Sequence, residues 1–147
     1  MIKVCSSTII NIPLSDVWNK IKDFNGLPNW HPAVAKSQIE ATHAEGAVGC
    51  IRNFSLADGS GNIRETLLAI SDQEHTLTYN MLLNDTLPFV DYVSTITLEE
   101  ITDRNQTFAK WTAQFTVSDD QAEYWQKFVA VDVFLGGFRA LEDSFLK

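Results

Sequence analysis

The stretch QAEYWQKFVAVDVFLGGFRALEDSF, residues 121–145, decides how this chain folds. Ser118 and Gln121 match an S-x-x-Q capping box, in which side chains satisfy the free amides at a helix start. We therefore predict one long helix from Gln121 to Phe145. Its apolar residues recur at steps of three or four, or sums of these, which predicts a stripe along one side. The stripe consists of Tyr124, Phe128, Val131, Leu135, Phe138 and Phe145.

Such a stripe needs a broad apolar surface to cover it, and the preceding chain alternates apolar and polar residues as strands do. Residues 2–11 predict a first strand, and a short helix follows with Ser15 as its N-cap and Gly26 at its end. We predict an α+β fold in which a seven-stranded curved antiparallel sheet wraps around the long C-terminal helix, with two short helices after the first strand. The other six strands are predicted at Val34–Ala41, Val48–Ala57, Asn62–Ile70, Thr76–Leu83, Val90–Ile101 and Thr107–Val117.

The Asp58-Gly59 dipeptide predicts a hairpin with a type I′ turn, which needs a positive φ at both central positions. With these two residues at the centre of the turn, Arg52 pairs with Glu65, and Phe54 pairs with Ile63. The two charges then share the face that is buried against the helix. They are either an ion pair that stabilises the sheet or the groups that hold the polar end of a ligand.

The same alternation predicts which strand residues face the helix. A few polar groups among many apolar ones are typical of a ligand site, and they are also typical of a protein core. Both interpretations stay open at this point. The residues predicted on the concave face are Cys50, Phe54, Leu56, Leu67, Leu77, Tyr79, Met81, Tyr92, Ser94, Ile96, Leu98, Trp111, Ala113 and Phe115.

Two loops are candidates for the rim of a pocket. In the first, Leu27–Pro32, His31 is either an acid–base group, because imidazole titrates near neutral pH, or a residue that helps to close the pocket mouth. In the second, Asn84–Phe89, a polar turn carries an apolar tip that could lie over the open end.

The glycine pair Gly136-Gly137 lies inside the predicted helix, where each glycine costs roughly 0.8 to 1 kcal/mol relative to alanine. A bend or the close approach of a neighbour would account for it. On the far side of the helix, Val129, Val133, Gly136 and Ala140 form a stripe of small residues that could be a homodimer contact.

Composition excludes several classes of function. The 147 residues fit one domain, 1–147, and the net charge of -8 argues against nucleic acid or an anionic membrane as a partner. Asp132, Arg139 and Glu142 interrupt the C-terminal apolar run, so no membrane insertion is expected. The two cysteines and the absence of a signal-peptide pattern predict a cytoplasmic protein.

The histidines do not form a metal-binding pattern, since His31, His43 and His75 share no metal-ligand spacing. No cofactor motif is present either, so we expect neither a metal nor a cofactor. His43 and His75 are predicted surface residues.

The order of these elements resembles the helix-grip fold of the START/Bet v 1-like (SRPBCC) superfamily. Within it, the chain is most similar to the polyketide cyclase/dehydrase and lipid-transport group, in its MxaD-like branch. The residues that carry the resemblance are Val17-Trp18, Trp30-His31-Pro32, Gly49 to Arg52, Asp58-Gly59, Glu65 to Leu67, Tyr79, Pro88, Tyr92 and Trp111.

The resemblance implies a hydrophobic cavity between helix and sheet more firmly than it implies any reaction. We expect the protein to bind a small hydrophobic or amphipathic molecule, with Arg52 and Glu65 orienting its polar end. The alternatives are a cyclase or dehydratase in which Arg52, His31 or a tyrosine assists proton transfer, and a protein-interaction module. The predicted ligand-binding residues are Trp30, His31, Cys50, Arg52, Phe54, Glu65, Leu67, Tyr79, Met81, Pro88, Tyr92, Ser94, Trp111, Phe115, Phe128, Val131, Leu135 and Phe138.

Overall fold

The computed structural model describes residues 1–40 and 44–146 of the chain. Its strands form a seven-stranded sheet in the order β1-β7-β6-β5-β4-β3-β2, and all neighbouring strands are antiparallel. This is the predicted helix-grip architecture. The strands are β1 (Ile2–Ile10), β2 (Val34–Ile39), β3 (Ile51–Leu56), β4 (Asn62–Ser71), β5 (Thr76–Met81), β6 (Val90–Ile101) and β7 (Gln106–Thr116).

The strand boundaries differ little from the predicted ones, and the largest difference is at the start of β3. Gly49 has a φ of 96° and donates its amide to the Leu67 carbonyl, so the chain enters β3 through a turn. Ala41, at the end of the predicted second strand, and His43 lie outside the described residues.

The hairpin between β3 and β4 has the predicted register but a different turn. Arg52 pairs with Glu65 and Phe54 with Ile63. The Leu56 amide donates to the Gly61 carbonyl, which leaves a four-residue loop, and Gly59 has a φ of 80° whereas Asp58 has no positive φ. The type I′ turn was therefore wrong: the longer loop keeps the same pairing without requiring αL backbone at Asp58.

The first helix, α1 (Leu14–Ile21), buries Val17, Trp18 and Ile21, and its ends differ from the prediction. Pro13 occupies the N-cap and no side chain caps the helix, so Ser15 lies within the first turn. A separate 3₁₀ helix, Phe24–Asn29, contains Gly26, which therefore does not terminate α1.

The C-terminal helix, residues 119–144, consists of four consecutive segments with different hydrogen-bond patterns. A 3₁₀ turn (Asp119–Gln121) leads into α2 (Ala122–Lys127), a π-helix (Phe128–Leu135) and α3 (Gly136–Ser144). Neither Ser118 nor Gln121 makes a side-chain capping bond, so the predicted capping box was wrong.

The π-helix changes which residues the helix buries. Its i→i+5 hydrogen bonds widen the turn, so a regular 3.6-residue period no longer holds. Val129 and Phe134 are buried five residues apart, and Phe138 and Leu141 follow. The predicted stripe was correct at Phe138 but wrong at Tyr124, Val131 and Leu135: Tyr124 is 64% exposed, Val131 is 45% exposed, and half-buried Leu135 does not pack on the core.

The helix packs on the sheet through aromatic rings. The Trp111 ring of β7 stacks on Phe134 at 4.5 Å between centroids and lies 5.3 Å from Phe138. At the middle of β1, the Ser6 hydroxyl donates to the Ala130 carbonyl at 2.8 Å. These contacts hold the helix against the β1–β7 side of the sheet, and β1 contacts α2, the π-helix and α3.

Candidate functional site

A cavity of about 670 Å³ lies between the concave face of the sheet and the C-terminal helix. Its size is within the range of roughly 300 to 1,000 Å³ that is typical of small-molecule sites. Its lining is mostly aromatic and aliphatic. The residues that form its inner wall are Leu27, His31, Val34, Arg52, Phe54, Leu56, Ile63, Glu65, Tyr79, Met81, Phe89, Tyr92, Trp111, Phe128, Val129 and Val133.

The mouth of the cavity is formed by loop and turn residues together with side chains of the C-terminal helix. The loop after β5 contributes Thr86 and Leu87, as predicted for the Asn84–Phe89 loop. This loop touches the β3–β4 hairpin, because a Cβ added at Gly61 would collide with the Thr86 hydroxyl. The other rim residues are Pro32, Ala33, Ala57, Asp58, Ser60, Tyr124, Trp125 and Asp132.

Arg52 and Glu65 form a buried ion pair inside this apolar cavity, and each residue is no more than 5% exposed. The Nε of Arg52 donates to Glu65 Oε1 at 2.9 Å, and Nη2 lies 2.7 Å from the same oxygen. Nη1 donates to the Phe24 carbonyl at 2.9 Å. The guanidinium also lies 4.0 Å from the Phe24 ring centroid and 4.9 Å from that of Tyr79.

The pair leaves one acceptor atom available. Glu65 Oε1 takes both guanidinium contacts, and Glu65 Oε2 has no hydrogen-bond partner among the described residues. Burial raises the pKa of the Glu65 carboxyl, and the Arg52 charge opposes this rise. A ligand donor could therefore reach a carboxylate oxygen that the protein itself does not satisfy.

A cluster of hydroxyl groups lies beside the ion pair. The Trp111 indole N–H donates to Ser94 Oγ at 2.9 Å and to Tyr79 Oη at 3.2 Å, while Ser94 donates its own proton to the Thr112 carbonyl. Burial raises the pKa of both Tyr79 and Tyr92. The two phenols therefore stay protonated, and both side chains line the cavity.

His31 connects the loop before β2 to the π-helix. Its Nδ1 accepts from the Ala33 amide at 3.2 Å, and its Nε2 lies 2.9 Å from the Val133 carbonyl. Because a carbonyl only accepts, Nε2 must carry the proton, which assigns the neutral tautomer. Burial lowers the pKa of His31. The nearby Arg52 charge lowers it further, whereas the hydrogen bond to the Val133 carbonyl raises it. Both ring nitrogens are therefore engaged within the protein.

A model of the family described as polyketide cyclase / dehydrase and lipid transport matches residues 1–141. The chain belongs to this family. No curated protein matches the sequence.

Solved structures of the same fold support the assignment. The chain is 30% identical to an uncharacterised protein from Bacillus thuringiensis, with a TM-score of 0.81 over 99% of this chain and 100% of the other. It is 28% identical to the protein XoxI from Bacillus cereus, with a TM-score of 0.85 over 100% of this chain and 97% of the other. A protein from Thermobifida fusca, at 24% identity, has the same fold with a TM-score of 0.85 over 99% and 93% of the two chains.

This family member's cavity contains half of the residues that we predicted for a ligand site. Arg52, Glu65 and His31 line it, together with Phe54, Tyr79, Met81, Tyr92, Trp111 and Phe128. The other predicted residues lie elsewhere. Trp30, Cys50, Leu67, Ser94, Phe115 and Phe138 are buried in the core behind the lining, whereas Pro88 and Val131 are exposed and Leu135 is half-buried outside it.

The missed lining residues belong to three groups. On the inner wall they are Leu27, Val34, Leu56, Ile63 and Phe89. On the C-terminal helix, Tyr124 and Trp125 lie in α2, whereas Val129, Asp132 and Val133 lie in the π-helix, whose geometry sequence periodicity does not reveal. Consequently the predicted surface stripe of small residues does not exist, since Val129 is buried and Val133 borders the cavity. At the mouth, turn residues such as Ala33, Ala57 and Thr86 carry no periodic signal at all.

Within residues 1–40 and 44–146, no group of three or more His, Cys, Asp or Glu side chains could hold a metal ion. Over the same residues, every helix is too short or too polar to cross a membrane.

Proposed function

We propose that this protein binds a small, largely apolar molecule in the cavity between its sheet and its C-terminal helix. The observation that carries the proposal is a buried ion pair, Arg52 with Glu65, inside an aromatic-lined cavity of about 670 Å³. Ligand sites commonly combine apolar walls with a few polar groups that orient the ligand. The family description, which includes lipid transport, is consistent with such a role.

In the bound state, the polar end of the ligand lies at Arg52, Glu65 and the tyrosine hydroxyls. The apolar body packs against Phe54, Phe128 and the other rings of the wall. Entry is through the mouth, whose rim includes the turn of the β3–β4 hairpin and the loop after β5. Both segments lie outside the strands, so they can adjust without disturbing the sheet.

Uptake of the uncharged dye Nile red tests this proposal. The fluorescence of the dye should rise saturably with one binding site per chain. Ala33→Trp places a large ring at the mouth and should weaken the apparent affinity by about tenfold or more, which corresponds to about 1.4 kcal/mol. The matched control is Ala35→Trp. Ala35 is also exposed, but it lies within β2 and does not line the cavity. Absence of saturable binding, or equal loss in both variants, would contradict the proposal.

Native mass spectrometry of freshly purified protein provides an independent check. A retained molecule should appear as a mass increase that disappears on denaturation. The Ala33→Trp variant should carry less of it than Ala35→Trp. Equal occupancy of the two variants would place the molecule outside the cavity.

A further inference from the structure

The positive charge of Arg52 is already paired within the protein. Nε and Nη2 contact Glu65 Oε1, and Nη1 donates to the Phe24 carbonyl. A ligand carboxylate would therefore find no unpaired positive charge in the cavity. It would also lose its hydration, and an ionised group buried without a counter-charge is strongly disfavoured.

The atoms that remain available suit an uncharged polar group. Glu65 Oε2 is an acceptor without a partner among the described residues, on a side chain that is 4% exposed. Tyr79 and Tyr92 supply hydroxyl donors, which their raised pKa values keep protonated. A ligand hydroxyl can donate to the carboxylate oxygen and accept from a phenol at the same time.

The charges at the mouth also disfavour an anionic ligand. Asp58 and Asp132 both lie on the rim and are exposed, and the chain has a net charge of -8. No lysine or arginine other than Arg52 lines the cavity within the described residues. An anionic ligand is therefore repelled during entry as well as at the bottom of the site.

We propose that the cavity selects uncharged hydroxyl-bearing amphiphiles, such as phenols or alcohols with a flat apolar body, and rejects carboxylates of the same shape. This inference rests on the proposed binding function and specifies its ligand class. Glu65 is the residue that determines the choice. It neutralises Arg52 through one carboxylate oxygen and accepts the ligand hydroxyl through the other.

The test compares 2-naphthol with 2-naphthoate, which share one ring system and at neutral pH carry no charge and one negative charge. Calorimetric titration of the wild-type protein should give an affinity at least about tenfold higher for 2-naphthol. In Glu65→Gln, Arg52 is no longer neutralised, so the preference should shrink or reverse through tighter naphthoate binding. Thermal unfolding of each variant establishes that it is folded.

A second variant tests the same inference even if Glu65→Gln does not fold. Arg52→Met/Glu65→Leu replaces the pair with apolar side chains of similar size, a change that is often tolerated in a core. It should bind unsubstituted naphthalene at least as well as the wild type and lose the preference for 2-naphthol over naphthalene.

The outcomes separate this inference from the binding function itself. Wild-type protein that takes up Nile red but binds 2-naphthoate as tightly as 2-naphthol overturns the inference and leaves the binding function intact. An undiminished preference for 2-naphthol in the double variant also overturns it. Failure to bind Nile red overturns the binding function instead.

Discussion

At the scale of single residues, the pairing of Arg52 with Glu65 is the feature that the sequence predicted best. Hairpin register alone placed the two side chains opposite each other, because the pairing depends on the centre of the turn and not on its backbone type. The sequence could not predict the third partner, the Phe24 carbonyl, since it comes from the separate 3₁₀ helix. Strand-pairing rules therefore predict the ion pair, whereas its hydrogen bond to the Phe24 carbonyl depends on the tertiary structure.

Removal of either charge should destabilise the protein more than removal of both. Arg52→Met or Glu65→Leu leaves a buried charge without its partner and should lower the free energy of unfolding by about 3 to 5 kcal/mol. The double variant Arg52→Met/Glu65→Leu should be much less affected than the sum of the two. Urea denaturation of all four proteins measures this coupling. Additive effects would show that the pair does not act as a unit.

The lowered pKa of His31 predicts a specific dependence of stability on pH. Unfolded His31 takes up a proton as the pH falls through about 6.5, whereas the folded protein does so only at lower pH. The unfolded state then binds more protons in that window, so the contribution of His31 to stability falls as the pH falls below about 6.5. Glu65 acts in the opposite direction, because its raised pKa makes the folded state bind the extra proton above the ordinary value of 4.5.

A comparison with His31→Gln isolates the histidine contribution, since Glu65 is present in both proteins. As the pH is lowered from about 7.5 to about 5.5, the free energy of unfolding of the wild type should fall relative to that of His31→Gln. Urea denaturation at several pH values measures it. A difference that does not change with pH would mean that His31 titrates normally in the folded protein.

At the scale of elements, the C-terminal helix was predicted in place and extent but not in its internal geometry. The apolar residues are dense enough that both a regular stripe and a shifted one can be read from the sequence. The π-helix selects the shifted one, so that Phe134 stacks on Trp111 and Val133 presents its carbonyl to His31. A hydrogen-bond pattern of this kind depends on the surface against which the helix packs, which helix propensity does not encode.

The glycine pair offers a direct test of this packing. A Cβ at Gly137 would lie 2.8 Å from His31 Cδ2 and 3.1 Å from Trp111 Cζ3, and both rings are held by other contacts. Gly137→Ala should therefore lower the free energy of unfolding by about 1 to 3 kcal/mol, although alanine favours helix.

Gly136→Ala is the matched control for that substitution. Its added Cβ meets only the Val131 carbonyl, at 3.4 Å. It should leave stability unchanged or raise it by up to about 1 kcal/mol, the difference in helix propensity. Thermal or urea unfolding compares the two variants. Equal effects would show that the close approach of His31 and Trp111 does not constrain position 137.

At the scale of the whole molecule, the sequence predicted the order of strands and helices along the chain and the concave face of the sheet. Alternation identified inward residues such as Leu67, Ile96 and Phe115, and these three are buried. It could not separate those that pack in the core from those that border the cavity, because both are apolar and point to the same side of the sheet. That distinction depends on where the helix lies; on the helix itself, Phe128 lines the cavity whereas Phe138 is buried in the core.

The tryptophan side chains allow the most direct measurement of ligand binding in the cavity. Of the four tryptophans, Trp111 and Trp125 line the cavity, whereas Trp30 is buried behind it and Trp18 donates its indole N–H to Asp72 at 2.8 Å, away from it. Titration with 2-naphthol, followed by ¹H–¹⁵N NMR, should shift the indole signals of Trp111 and Trp125 saturably and leave that of Trp18 unchanged. Unchanged signals from Trp111 and Trp125 while 2-naphthol binds would contradict a ligand site between the sheet and the C-terminal helix.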